Sequence, residues 1–203
     1  MTYTALDLYD EGLDFFTEIV DRTPTSAWAA ASPCAGWTGL DVLGHLCDAT
    51  SAGARILRGE TFEFVAHDPP STAVRGEPAE HWHQLAEAAR AAAASVDDLD
   101  RIVESPLGTR TVAEGLSFPA ADLFLHGWDL ATTAGRTVSF PEQATTFMNR
   151  LFDTLPAEVI RQPGVFGPAV TPPTDATPTE QLIGRCGRQP RRGTASGHTG
   201  RVP

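Results

Sequence analysis

The chain contains no lysine: all fifteen basic residues among its 203 are arginine. With abundant Ala and Gly, that skew follows from a GC-rich genome and says nothing about chemistry. Cysteine is scarce as well. Cys34, Cys47 and Cys186 are odd in number and widely spaced, which excludes a disulfide framework and leaves reduced thiols as the expectation. No stretch approaches the roughly 20 apolar residues of a membrane span. Met1–Asp7 lacks the basic region and apolar core of a signal peptide, so a cytoplasmic protein is expected. There is no P-loop, dinucleotide fingerprint, nucleophile elbow or internal repeat. Positive charge is short overall, at net −11, and five of the arginines fall from Arg185 onward with no acid among them. The preceding 184 residues therefore carry net −16, and a body that acidic repels phosphate backbones and argues against nucleic-acid binding.

Apolar residues make up 41% of the chain, enough for one domain with a full core. Helical periodicity is present over residues 4–21, where Leu6, Leu13, Phe16, Ile19 and Val20 share a stripe. A loop with Pro24, Pro33 and Gly36 follows. A second helix is expected from about Gly39 to Leu57, with Thr38 as N-cap and Asp41 completing a capping box. Residues 59–76 read as a loop. An Ala-rich third helix spans about Pro78 to Val96, its inward face marked by Trp82, Leu85, Ala89, Ala92 and Val96. Residues 101–112 read as an extended link or short strand. A fourth helix runs from about Leu116 to Ala134 and is stopped by Gly135. A fifth, Pro141 to Leu155, has Pro at its first position. Residues 156–178 are Pro-rich and read as extended, and Thr177 to Glu180 opens a short terminal helix. Four long helices with uneven loops predict an all-α four-helix bundle with a small C-terminal extension. The expected domains are a bundle over 1–156, a Pro-rich extension over 157–189 whose short helix packs on it, and a disordered basic tail over 190–203.

The chemistry concentrates in the fourth helix. In Asp122-Leu123-Phe124-Leu125-His126-Gly127-Trp128-Asp129 the polar residues are spaced four and three apart, which stacks them on one helical face. Such a stripe is either the wet side of the helix or an inward polar seam. Because the rest of the circumference is apolar, the helix reads as central and the stripe as inward. A carboxylate and an imidazole four apart can grip one cation, and His45 on the second helix is a further candidate ligand. Taken alone, His45 is more often a satisfied core residue. His81 and His83 are two apart and diverge, and His67 and His198 lie in a loop and the tail. Cys34 precedes a helix N-terminus, which favours thiolate, yet a packed, inert cysteine is the commoner case. Cys47 is expected to face away from His45. Arg55 and Arg58 either meet a carboxylate substrate or are solvated, the second being the expectation.

Two segments carry a family likeness. Ser32-Pro33-Cys34-Ala35-Gly36-Trp37-Thr38 with Leu40-Asp41-Val42-Leu43-Gly44-His45-Leu46, and Asp122 through Ala131, resemble in order and spacing the two signatures of the mycothiol-dependent maleylpyruvate isomerase family. That family belongs to the DinB-like metal-binding bundles. Gly167 to Arg188 also resembles the tail of actinobacterial members. The resemblance implies a divalent metal, zinc foremost with nickel or iron as alternatives, held by His45, Asp122 and His126. The isomerase has Glu where this chain has Asp122, one methylene shorter. Asp129 is implied either as an orienter of a ligand imidazole or as a solvent-facing residue. A two-His, one-carboxylate site leaves positions open for a thiolate and substrate oxygens. The implied partners are a small-molecule electrophile and mycothiol as low-molecular-weight cosubstrate, without nucleic acid or membrane. A homodimer stays open, its expected mark being exposed Trp or Phe on the bundle.

Three functions then compete. The first is a metal- and thiol-dependent S-transferase or isomerase. The second is a non-catalytic metal- or ligand-binding bundle. The third is a metal-dependent hydrolase. The first needs both metal and thiol, the second shows no turnover, and the third works without thiol.

Overall fold

The structure is a computed structural model that describes residues 2–60, 65–105, 108–162 and 165–190. It falls into two compact units, Met1–Thr154 and Leu155–Pro203. The first unit opens with α1 (Ala5–Asp21), a single turn α2 (Thr25–Trp28), α3 (Gly39–Arg58) and α4 (Pro78–Ser95). An antiparallel pair follows, β1 (Ile102–Ser105) against β2 (Gly108–Thr111), with Ile102 opposite Thr111 and Ser105 opposite Gly108. Then come α5 (Val112–Thr133) and α6 (Glu142–Asp153). α1 and α3 each pack against both α4 and α5, so the four long helices close a ring in the order α1, α5, α3, α4. This is the expected all-α four-helix bundle.

Local chemistry starts three of these helices in the same way. Thr4 with Asp7, Thr38 with Asp41, and Thr111 with Glu114 form reciprocal capping boxes at α1, α3 and α5, satisfying amide groups that a helix start otherwise leaves open. Side-chain burial then aligns the helices. Leu8, Leu13 and Phe16 from α1, Leu43 and Leu46 from α3, Trp82 from α4, and Leu116 and Phe124 from α5 are essentially inaccessible. Burial of side chains this size contributes about 1.5–3 kcal/mol each. Trp82 meets Phe16 edge to face with centroids 4.6 Å apart, and its indole N–H donates to Thr17 Oγ1 at 2.9 Å. The packing and the hydrogen bond together fix α4 on α1.

Several expected boundaries shift. α5 begins at Val112, ahead of the expected Leu116, because the Thr111 cap and the burial of Val112, Leu116 and Ala120 hold its first turns. The helix runs through Pro119, which gives up one intrahelical bond. On α4, Ala86 and Ala93 are buried with Trp82, Ala89 and Ala92, whereas Leu85 and Val96 are only half-buried. Pro141 is the N-cap of α6 rather than its first residue. The loop expected over 23–37 contains α2, and the one over 59–76 contains a 3-10 turn at Pro70–Ala73.

In the second unit, α7 (Ala157–Ile160) interrupts the stretch expected to be extended, and α8 (Pro178–Arg185) starts from a Thr177–Glu180 capping box. The Val170 amide donates to the Gly184 carbonyl at 2.9 Å, and the Arg161 guanidinium donates to the Gly167 and Arg185 carbonyls. Apart from Pro190, the basic tail expected to be disordered lies outside the described residues. Among the described residues no helix is long and apolar enough to cross a membrane. The large apolar side chains exposed there are Val65, Ile102 and Val165, with no Trp or Phe among them.

Candidate metal centre

The two segments that carried the chemistry in the sequence meet where α3 packs on α5. His45 projects from the second turn of α3. The helix is held at its start by Asp41, whose carboxylate closes the Thr38 box and also accepts the Ser71 amide at 3.0 Å. Burial alone would raise the Asp41 carboxyl. The hydrogen bonds from Ser71 and Thr38 outweigh it and hold the group down at about 2. Gly44, beside His45, is a close-approach position: a Cβ there would lie 1.9 Å from the Pro70 carbonyl oxygen. The turn at Pro70 thus presses directly on the helix that presents His45.

From α5, Asp122 and His126 face His45. His45 Nε2 lies 3.5 Å from Asp122 Oδ2, and the two imidazoles sit edge to face with centroids 4.6 Å apart. One donor atom from each of His45, Asp122 and His126 lies within 4.8 Å of the other two. Donors bound to one zinc at 2.0–2.2 Å stand on the order of 3.4 Å apart when tetrahedral, so small side-chain movements suffice to share an ion. His45 and Asp122 are part-exposed, with 24% and 27% of their side-chain surface open. A ligand can therefore reach this face from solvent. Trp37 lies over both histidines, tilted on His45 at 5.3 Å and stacked on His126 at 5.8 Å.

Behind His126 the environment changes. Asp129 is fully buried, and its Oδ2 stands 3.0 Å from His126 Nδ1. That contact favours the tautomer with the proton on Nδ1 and leaves Nε2 as the lone-pair nitrogen. The solvent-facing alternative for Asp129 is thereby excluded. Cys34 was expected to be packed and inert, yet its Sγ lies 3.1 Å from Asp129 Oδ2 and 3.8 Å from His126 Nδ1. The residue sits in a tight turn: the Ser32 amide donates to the Trp37 carbonyl at 2.9 Å, the Trp37 amide donates to the Cys34 carbonyl, and Gly36 takes a left-handed φ of 81°. Cys34, His126 and Asp129 form a second cluster of potential metal donors within 4.8 Å. The sequence signal for it was the lone cysteine ahead of a helix start; nothing in spacing joins residues 34 and 129.

The remaining candidates stay apart from this centre. Cys47 faces His81, with Sγ 3.7 Å from Nδ1, and burial, with Asp48 beside it, pushes its thiol up to about 12. His81 itself is lowered, first by burial and then by Arg75. His83 pairs with Asp21 at 2.8 Å and His67 with Asp48 at 2.9 Å. Arg55 and Arg58 both pair with Glu60, at 3.0 and 2.5 Å, rather than standing freely solvated.

Comparison with known proteins adds the following. The family described as the mycothiol maleylpyruvate isomerase N-terminal domain matches residues 9–131. Two solved structures of the mycothiol-dependent maleylpyruvate isomerase, one of them a mutant, superpose with TM-scores of 0.60 and 0.59 at 15% identity. The match covers 71% of this chain and 66% of theirs, so the chain spans about two thirds of those proteins. At that identity the likeness is one of fold. No curated protein matches the chain.

Proposed function

The chain belongs to the mycothiol maleylpyruvate isomerase N-terminal domain family, and from that premise we propose that it is a divalent-metal protein using a low-molecular-weight thiol, mycothiol, as S-transferase or isomerase on a small electrophile. The observation that carries this reading is the convergence of His45, Asp122 and His126 on one part-exposed point between α3 and α5. Zinc is the metal the proposal favours. Two imidazoles and one carboxylate suit it and leave coordination positions for exchangeable ligands.

When bound, such an ion supplies Lewis acidity, which favours the thiolate of an incoming thiol and polarises a substrate oxygen. The chain's own residues do the rest. Asp129 holds the Nδ1 proton of His126, which would leave Nε2 as the nitrogen available to hold an ion. Trp37 shields the two imidazoles from one side and limits their rotation. Asp41 and Gly44 fix the height of His45 by tying α3 to the turn at Pro70. The shorter Asp122 is served by the close approach of α3 and α5, which leaves His45 Nε2 at 3.5 Å.

The test is metal content by mass spectrometry on the untagged protein, followed by calorimetric titration with mycothiol before and after chelation. About one ion per chain, with thiol binding that vanishes on chelation, is the expected result. Thiol binding unaffected by chelation would overturn the metal-dependent reading. Turnover of an ester or amide without thiol would replace it with a hydrolase.

A further inference from the structure

The cluster behind His126 has the chemistry of a metal position in its own right. Its three donors are a thiol sulfur, an imidazole nitrogen and a carboxylate oxygen. Their separations are 3.0 Å for His126 Nδ1 to Asp129 Oδ2, 3.1 Å for Cys34 Sγ to Asp129 Oδ2, and 3.8 Å for Cys34 Sγ to His126 Nδ1. An ion bound by sulfur at about 2.3 Å and by nitrogen and oxygen at about 2.0 Å needs edges on the order of 3.3–3.5 Å. The observed triangle differs from that by only a few tenths of an ångström. Charge matches as well. Thiolate and carboxylate together carry two negative charges, which a divalent cation neutralises. The geometry is held from both sides: Asp129 and His126 are one helical turn apart on α5, and Cys34 is fixed in the turn between Ser32 and Trp37.

We propose that Cys34, His126 and Asp129 form a second, sulfur-containing position for a soft divalent cation, which shares His126 with the cluster of His45 and Asp122. Binding there releases the Cys34 thiol proton to solvent and moves the imidazole proton from Nδ1 to Nε2. His126 then has no lone pair for the first position. The two positions therefore compete for one imidazole, and ligand softness decides between them: thiolate draws cadmium, whereas the nitrogen and oxygen donors in front suit zinc and harder ions. This assignment does not require that the front position be used in catalysis.

Cobalt(II) is the probe, because a cobalt–thiolate bond gives a near-ultraviolet charge-transfer band that nitrogen and oxygen ligands do not. The variants are His45→Ala, which removes the front position, and His45→Ala combined with Cys34→Ser, with folding checked by circular dichroism. The expected result is a thiolate band in cobalt-loaded His45→Ala that disappears in the double variant. No band in folded His45→Ala, or one that survives loss of Cys34 and so arises from Cys47 or Cys186, overturns the proposal. A second measurement needs no variant. Cadmium should slow iodoacetamide alkylation of Cys34 in the wild-type protein at least tenfold, as read by peptide mass spectrometry, and an unchanged rate overturns it. Failure of these tests leaves metal content at the front position, and hence the proposed function, to its own experiment.

Discussion

On the front of His126, His45 and Asp122 each keep about a quarter of their side-chain surface in solvent, while behind the same ring Asp129 keeps none. The front donors come from α3 and α5, two helices of the bundle. The rear donors come from α5 and from the turn that precedes α3. Front and rear thus suit different work. Part-exposed donors can exchange ligands with solvent, as a substrate site requires. A buried carboxylate held on an imidazole nitrogen sets tautomer and orientation, and so tunes a neighbouring metal. One imidazole joins the two environments, so a change on either side should be felt on the other.

The sharpest break in this comparison is His126→Ala, which removes the shared donor. Stoichiometric metal should fall from about one ion per chain to background, with the helical spectrum retained. His45→Ala should likewise abolish stoichiometric metal when the protein is purified without added soft cations, whereas His81→Ala and His83→Ala should leave it unchanged, all read by mass spectrometry. Metal retained in His126→Ala sinks the ligand assignment. Next in size is Asp129→Asn. It keeps the shape but removes the charge behind His126, and should weaken metal binding by about 10–100-fold in a competition titration. Equal affinity would mean that the rear carboxylate does not tune the front.

Two further changes act through the helix that presents His45. Gly44→Ala would press a methyl group into the Pro70 carbonyl and should cost about 1–3 kcal/mol by overpacking, read as a lowered denaturant midpoint. An unchanged midpoint would show that the turn can simply retreat. Asp41→Asn probes the same anchor by pH. The folded-state pKa is lowered to about 2 from an unfolded value of about 3.9. The unfolded chain therefore binds more protons between those values, and the stabilisation is fully present above about pH 4 and lost as pH falls toward 2. Over that window the wild-type protein should lose about 2 kcal/mol more than Asp41→Asn. Parallel acid profiles would remove Asp41 from the account.

Helical reading of the sequence succeeded where the signal is local. Thr38 and Asp41 lie three apart and form the box that their spacing predicted. Asp122 and His126 lie four apart and share a face. It failed where distant packing outweighed local preference. α5 was expected to start at about Leu116, but burial of Val112 carries its start back by a turn. Leu85 and Val96 are apolar, yet Ala86 and Ala93 take the buried places on α4, where the small side chains fit a close neighbour. Cys34 was the largest miss, because a contact across 95 residues leaves no trace in spacing.

The sequence by itself determined four long helices, the Thr38–Asp41 cap and the polar stripe on α5, since each depends on residues within a turn or two of one another. The family signature added His45 as a partner for that stripe. Only the tertiary structure decided which donors meet at His126. The front pairing with His45 follows from how α3 lies on α5, and the rear pairing with Cys34 from the turn that Ser32, Gly36 and Trp37 impose. Those placements depend on packing between segments 77 to 95 residues apart, and no local preference encodes them.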